Sequence, residues 1–109
     1  MFIANINKKT KRIIKAIVLV YIFGHPPKID ELVNVAKKFK LIILEDAAEA
    51  LGSYYKGKHA GTFGAIGTLS FNGNKIITTG GGGAVLTNSK KIANKVKKLS
   101  SNGRKFHRW

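Results

Sequence analysis

Lys75 and Asp46 are the two side chains whose surroundings in the sequence leave room for chemistry. Lys75 ends the stretch SFNGNK (residues 70–75), a strand-like pair followed by a polar, glycine-containing bend, and it stands just ahead of the run IITTGGGG. What an amine can do depends on its proton. Solvated, it stays charged; in a cationic or desolvating setting it loses the proton near neutral pH and becomes a nucleophile. Composition favours the first reading, because a lone lysine in a lysine-rich chain is solvated surface as a rule. Setting favours the second: a glycine run lets another molecule come close, and the β-branched Ile76, Ile77, Thr78 and Thr79 imply structure around the amine. Asp46 follows LIILE directly, at the end of a strand-like run. A carboxylate there either caps the AAEA turn that follows or points into a crevice as a site group. His25, His59 and His107 are far apart and lack metal-ligand spacing, so no metal site is expected.

The elements that must position these groups alternate between strand and helix. Residues 16–23, AIVLVYIF, are continuously apolar and β-branched, as in a strand buried on both faces of a parallel sheet. GHPP breaks the run. KIDELVNVAKKFK then sets Ile29, Leu32, Val33, Ala36 and Phe39 on one helical face, with Asp30 and Glu31 in the first turn and lysines in the last, matching the helix dipole. A second short strand, LIIL (41–44), completes a β-α-β crossover over 16–44. The glycine-rich GSYYKGKHAGTFGAIG reads as turns, with a small hairpin around Lys56 and Gly57. TLSF (68–71) and AVLT (84–87) are further strands, and a closing helix runs from an Asn88 or Ser89 cap to Gly103. The glycines Gly80–Gly83 lead into a strand, the reverse of the order in a dinucleotide fingerprint. The pattern predicts an α/β fold with at least part of a parallel sheet, whose functional groups gather at the carboxyl ends of its strands.

Composition bounds the alternatives. At 109 residues and 44% hydrophobic, the chain supports one modest core and is not a disordered polar sequence. With no cysteine there is no disulfide framework, which is compatible with a reducing cytoplasm. The longest apolar run falls well short of the roughly 20 residues of a membrane span, and the N-terminus lacks the order of a secretory signal. Twenty Lys and Arg oppose five Asp and Glu, a formal net charge of +15, and no carboxylate follows Glu49. Such a surface attracts polyanions, or is simply solvated lysine.

Residues 45–88, EDAAEALGSYYKGKHAGTFGAIGTLSFNGNKIITTGGGGAVLTN, resemble the central motif block of the DegT/DnrJ/EryC1/StrS sugar aminotransferases, pyridoxal-phosphate enzymes of the aspartate aminotransferase fold. The wording SFNGNKIITTGGGG is most similar to the branch that aminates UDP-linked 4-keto-6-deoxy sugars of the bacillosamine and legionaminic acid type. Weaker similarity extends from about Ile13 through the closing helix. The resemblance implies a mostly parallel sheet flanked by helices, the central part of the type I pyridoxal-phosphate large domain over residues 1–109. It implies pyridoxal 5′-phosphate as cofactor. Lys75 would join covalently to it, Ser70 would bind its phosphate, Asp46 would face the pyridine nitrogen, and Glu49 would stand beside the ring, where relatives often have Gln. Dehydratase relatives carry histidine at the lysine position, so Lys75 points to transamination.

The same resemblance implies a nucleotide-sugar substrate, an amino donor such as glutamate, and a homodimer; composition adds a cytoplasmic setting and no membrane partner, and nucleic acid is disfavoured because Tyr54 and Tyr55 fall inside the family match. Against the family pattern, the upstream phosphate-loop segment and the C-terminal small domain are expected to be missing, and Ala65 stands where a polar residue is common. The expectation is therefore a piece of an aminotransferase, inactive by itself. Two other readings stay open: a small basic module that binds polyanions, and a nonfunctional remnant.

Overall fold

In a computed structural model that describes residues 5–101, the chain forms a four-stranded sheet with helices and a small second ribbon. Strand β1 (Ala16–Val20) leads through a turn to helix α1 (Ile29–Phe39), and β2 (Ile42–Asp46) returns parallel to β1, with Ala16 opposite Ile42 and Val20 opposite Asp46. This is the crossover expected from the apolar periodicity. Ribbon strands β3 (Tyr54–Tyr55) and β4 (Lys58–His59) follow, then β5 (Ile66–Ser70), β6 (Gly83–Leu86) and helix α2 (Lys90–Ser100). The sheet order is β1-β2-β5-β6; β5 is parallel to β2, and β6 is antiparallel to β5. Structure neighbours reported below share this fold class.

Local chemistry accounts for the element ends. Helix α1 stops at Lys40, which adopts the left-handed conformation and donates its N–H back to the last turn. The β3–β4 turn has positive φ at both Lys56 and Gly57, the twist that a two-residue hairpin needs. Ser89 caps α2 by accepting the Ile92 N–H at 3.3 Å. Gly103, the C-terminal RKFHRW and His107 lie outside the described residues.

Two expectations need correction. The strand predicted over 16–23 ends at Val20; Ile22–Gly24 form a 3-10 turn, with Phe23 itself left-handed at φ 52°. An apolar run marks burial propensity, but the Tyr21 N–H makes the last bond to β2, to the Asp46 carbonyl at 3.0 Å, and the Tyr21 carbonyl then turns to accept the Gly24 N–H at 3.0 Å. Nor is β1 covered on both faces: Leu19 and Tyr21 are buried, whereas Val18 and Val20 are 56% and 51% exposed. The strand lies at the sheet edge, and α1 packs on one face only, around Leu19, Tyr21, Ile29, Ala47, Ala50 and Ala60. Burying a side chain such as Ile29 there contributes about 2 kcal/mol.

Candidate active site

Parallel strands end side by side, so whatever follows them is gathered along one rim. Asp46 is the last residue of β2, opposite Val20 of β1 and Thr68 of β5. Ser70 closes β5 two positions beyond Thr68, and by strand alternation it faces the same side of the sheet as Asp46. The chain then leaves the sheet in a loop tied to one carbonyl: Phe71 accepts from the Thr79 N–H and from the Thr78 hydroxyl, both at 3.1 Å. Within it, the Lys75 N–H donates to the Asn72 carbonyl at 3.0 Å. This folds the lysine back toward the rim.

The Lys75 side chain is only 17% exposed and its Nζ donates to Glu49 Oε1 at 3.1 Å. The other Glu49 oxygen accepts the Phe23 N–H at 2.9 Å. The hydrogen bond from Lys75, the Phe23 N–H and the lysine charge together hold the Glu49 carboxyl below the usual carboxylate range. Asp46 Oδ1 accepts the Ala48 N–H at 3.3 Å, so it does cap the local turn. It also lines, with Glu49 and Lys75, one cleft of about 220 Å³ whose walls include Val20, Ile22 and Ala48. Cap and site group, posed as alternatives by the sequence, are one side chain in two uses. Ser70 is half-buried at the end of β5 and is not part of that lining; its Oγ accepts the Asn72 N–H at 3.4 Å. Larger grooves beside Leu86 and beside α1 carry no carboxylate.

The sequence reading missed the support beneath the rim. Glu45 is fully buried, accepting the Tyr21 hydroxyl at 2.5 Å, the Gly61 N–H at 2.7 Å and the Gly64 N–H at 2.5 Å. Burial, with the Glu45 hydrogen bond and charge, pushes the Tyr21 phenol above its ordinary range. This network fixes the ends of β1 and β2 against the 61–64 loop, one residue from Asp46. An acid at the inward position of an apolar strand was the available signal, since such a group is buried only when its bonds are satisfied.

Gly80 and Gly81 stand in open space, and of the glycine run only Gly83 is crowded by the chain itself. Gly80 and Gly82 take positive φ, and a Cβ on Gly83 would sit 2.4 Å from the Leu69 carbonyl, so the close neighbour there is strand β5. Among the described residues no group of three or more metal-ligating side chains occurs, and His59 is engaged with the Gly52 N–H at 2.9 Å. No helix among them is long and apolar enough to cross a membrane.

Comparison with known proteins matches residues 2–109 to the model of the DegT/DnrJ/EryC1/StrS aminotransferase family. The GDP-perosamine synthase of Escherichia coli O157:H7 is 45% identical over 99% of this chain and 30% of its own length. The solved structure of Helicobacter pylori PseC, an aminotransferase involved in the biosynthesis of pseudoaminic acid, superposes with a TM-score of 0.82 at 36% identity, covering 95% of this chain and 27% of that one. The E. coli GDP-4-keto-6-deoxy-D-mannose-3-dehydratase with bound hydrated PLP gives a TM-score of 0.73 at 34% identity, over 77% of this chain and 22% of the other. This chain thus spans between about a fifth and a third of the length of these relatives.

Proposed function

Because this chain belongs to the DegT/DnrJ/EryC1/StrS aminotransferase family, we propose that it is the central part of a pyridoxal-phosphate large domain whose activity is amino transfer to a nucleotide-linked keto-deoxy sugar. The observation that carries this reading is the shared cleft: Asp46 from the end of β2 and Lys75 from the loop after β5 line one concavity.

The donor set fits pyridoxal phosphate. A carboxylate and a largely buried amine line one cleft, and a hydroxyl closes the neighbouring strand on the same side of the sheet, which suits a ring nitrogen, an aldehyde and a phosphate respectively. When bound, the cofactor supplies that aldehyde and a ring that withdraws electrons once its nitrogen is protonated. Asp46 would hold the proton on the ring nitrogen, Ser70 would donate its hydroxyl to the phosphate, and Glu49 would stand beside the ring. The Lys75 Nζ would be both the point of attachment and, when free, the base that moves a proton. Its contact with Glu49 keeps the amine aimed into the cleft. In this reading the partners are a sugar nucleotide, an amino donor such as glutamate and a second copy of the enzyme, in the cytoplasm.

Incubating the chain with pyridoxal phosphate, reducing with borohydride and mapping peptides by mass spectrometry tests the proposal. Label concentrated on Lys75, and lost in Lys75→Ala, supports it. Label absent, or spread evenly over the other lysines as a polyanion-binding surface would give, overturns it.

A further inference from the structure

Asn72 and Gly73 stand in the loop that carries Lys75, and both are exposed. An asparagine followed by glycine has a reaction of its own: the glycine nitrogen can bond to the side-chain carbonyl carbon, because no Cβ stands in the way and the backbone turns freely. Three features of the fold leave that route open. A Cβ added at Gly73 would meet no atom within 4 Å, so nothing packs on the attacking residue. Among the described residues the Gly73 N–H donates to no acceptor, so no hydrogen bond must break before the nitrogen moves. The Asn72 Nδ2 donates to Asn74 Oδ1 at 3.2 Å, so the carboxamide reaches forward along the chain, in the direction of the glycine.

The same asparagine braces the lysine. Its carbonyl accepts the Lys75 N–H at 3.0 Å, closing the turn over residues 72–75 that folds the amine back to Glu49. We propose that Asn72–Gly73 is a site of spontaneous deamidation whose isoaspartate product releases Lys75 from Glu49. The Gly73 nitrogen gives its proton to water and bonds to Asn72 Cγ; the Cγ–Nδ2 bond breaks and ammonia leaves, closing an imide. Water then opens the imide at one of its two carbonyls. Opening at Cγ leaves an ordinary aspartate, whereas opening at the old backbone carbonyl leaves isoaspartate, whose main chain runs through Cγ. One water is consumed and one ammonia released, with no oxidant or reductant. In isoaspartate the carbonyl that held Lys75 has become a free carboxylate and the main chain before Gly73 is one methylene longer, so the turn no longer closes on the Lys75 N–H. This rests on the loop alone and needs neither the cofactor nor the aminotransfer reading.

The full chain is aged in mildly alkaline buffer beside the free peptide SFNGNK until half of the peptide has converted. Peptide mapping by mass spectrometry with electron-transfer fragmentation identifies isoaspartate and separates position 72 from the other Asn–Gly pair, Asn102–Gly103. Asn72 should convert within about threefold of the peptide rate, as an exposed loop with no protecting bond allows. Gly73→Ala should slow the conversion on the order of tenfold, because its Cβ shields the nitrogen. That substitution brings no strain, since Gly73 lies outside the left-handed region and has open space around it. Carbon-detected NMR then reads the ion pair. The isoaspartate form should give a second Glu49 signal whose midpoint has moved up toward the ordinary glutamate value, because the hydrogen bond from Lys75 is the first cause of its depression. Asn72→Asp, which adds the charge without the extra methylene, should keep the Glu49 midpoint depressed. Asn72 left intact while the peptide converts overturns the site. Isoaspartate at position 72 with an unmoved Glu49 midpoint overturns the release of Lys75.

Discussion

Glu49 is bonded on both oxygens, to Lys75 and to the Phe23 N–H, and its proton affinity reports on both. Its carboxyl is depressed in the folded chain, so the stabilisation it brings is present above the ordinary glutamate pKa of about 4.3 and is lost as pH falls through the lower folded value. A carbon-detected NMR titration should therefore find the Glu49 midpoint below about 4.3, and Lys75→Ala should raise it. Glu45, by contrast in position, is fully buried with its oxygens hydrogen-bonded. Glu45→Ala strands the Tyr21 hydroxyl and two backbone N–H groups, at a cost of about 3 kcal/mol. Tyr21→Phe removes one charge-assisted bond and costs about half as much. Urea denaturation of the two variants should rank them in that order.

At the level of elements, a strand end is only as good as the loop that leaves it. Gly83→Val would force a Cβ against the Leu69 carbonyl and part β6 from β5, where Ser70 pairs with Gly83. A loss of about 2 kcal/mol in urea denaturation, with reduced amide protection across Ser70 and Gly83, is the expected outcome. Ser89→Ala, which removes only the α2 cap, should cost about 1 kcal/mol. Sequence periodicity carried α1, the crossover and the Lys56–Gly57 hairpin, because those depend on residues close in the chain. It also singled out Lys75 and Asp46 as groups with unusual settings. It could not show that β1 stops at Val20, since Ile22 and Phe23 are as apolar as the strand and only the turn bonds from Gly24 to Tyr21 and from His25 to Ile22 end it. Nor could it show the Glu45 network or the Glu49–Phe23 contact, which join residues far apart in sequence.

For the molecule as a whole, the sheet has one dressed face and one bare. Val18, Val20, Ile42 and Val85 are all exposed, and the strand register sets Val18, Val20 and Ile42 on the Asp46 side. The chain alone should bind the dye ANS in proportion to that surface, as exposed apolar area does. Val18→Thr with Val85→Thr should lower the dye fluorescence while moving denaturation by no more than about 0.5 kcal/mol. The acid-free second half gives the chain a strong field besides, so association with phosphorylated ligands should slow as salt is raised.

The two-ended carboxylate at position 49 ties the lysine loop to the turn that follows β1. An occupant that draws the amine off Oε1 would leave that carboxylate on the Phe23 N–H alone, so a pull on the lysine should be felt in the turn after β1.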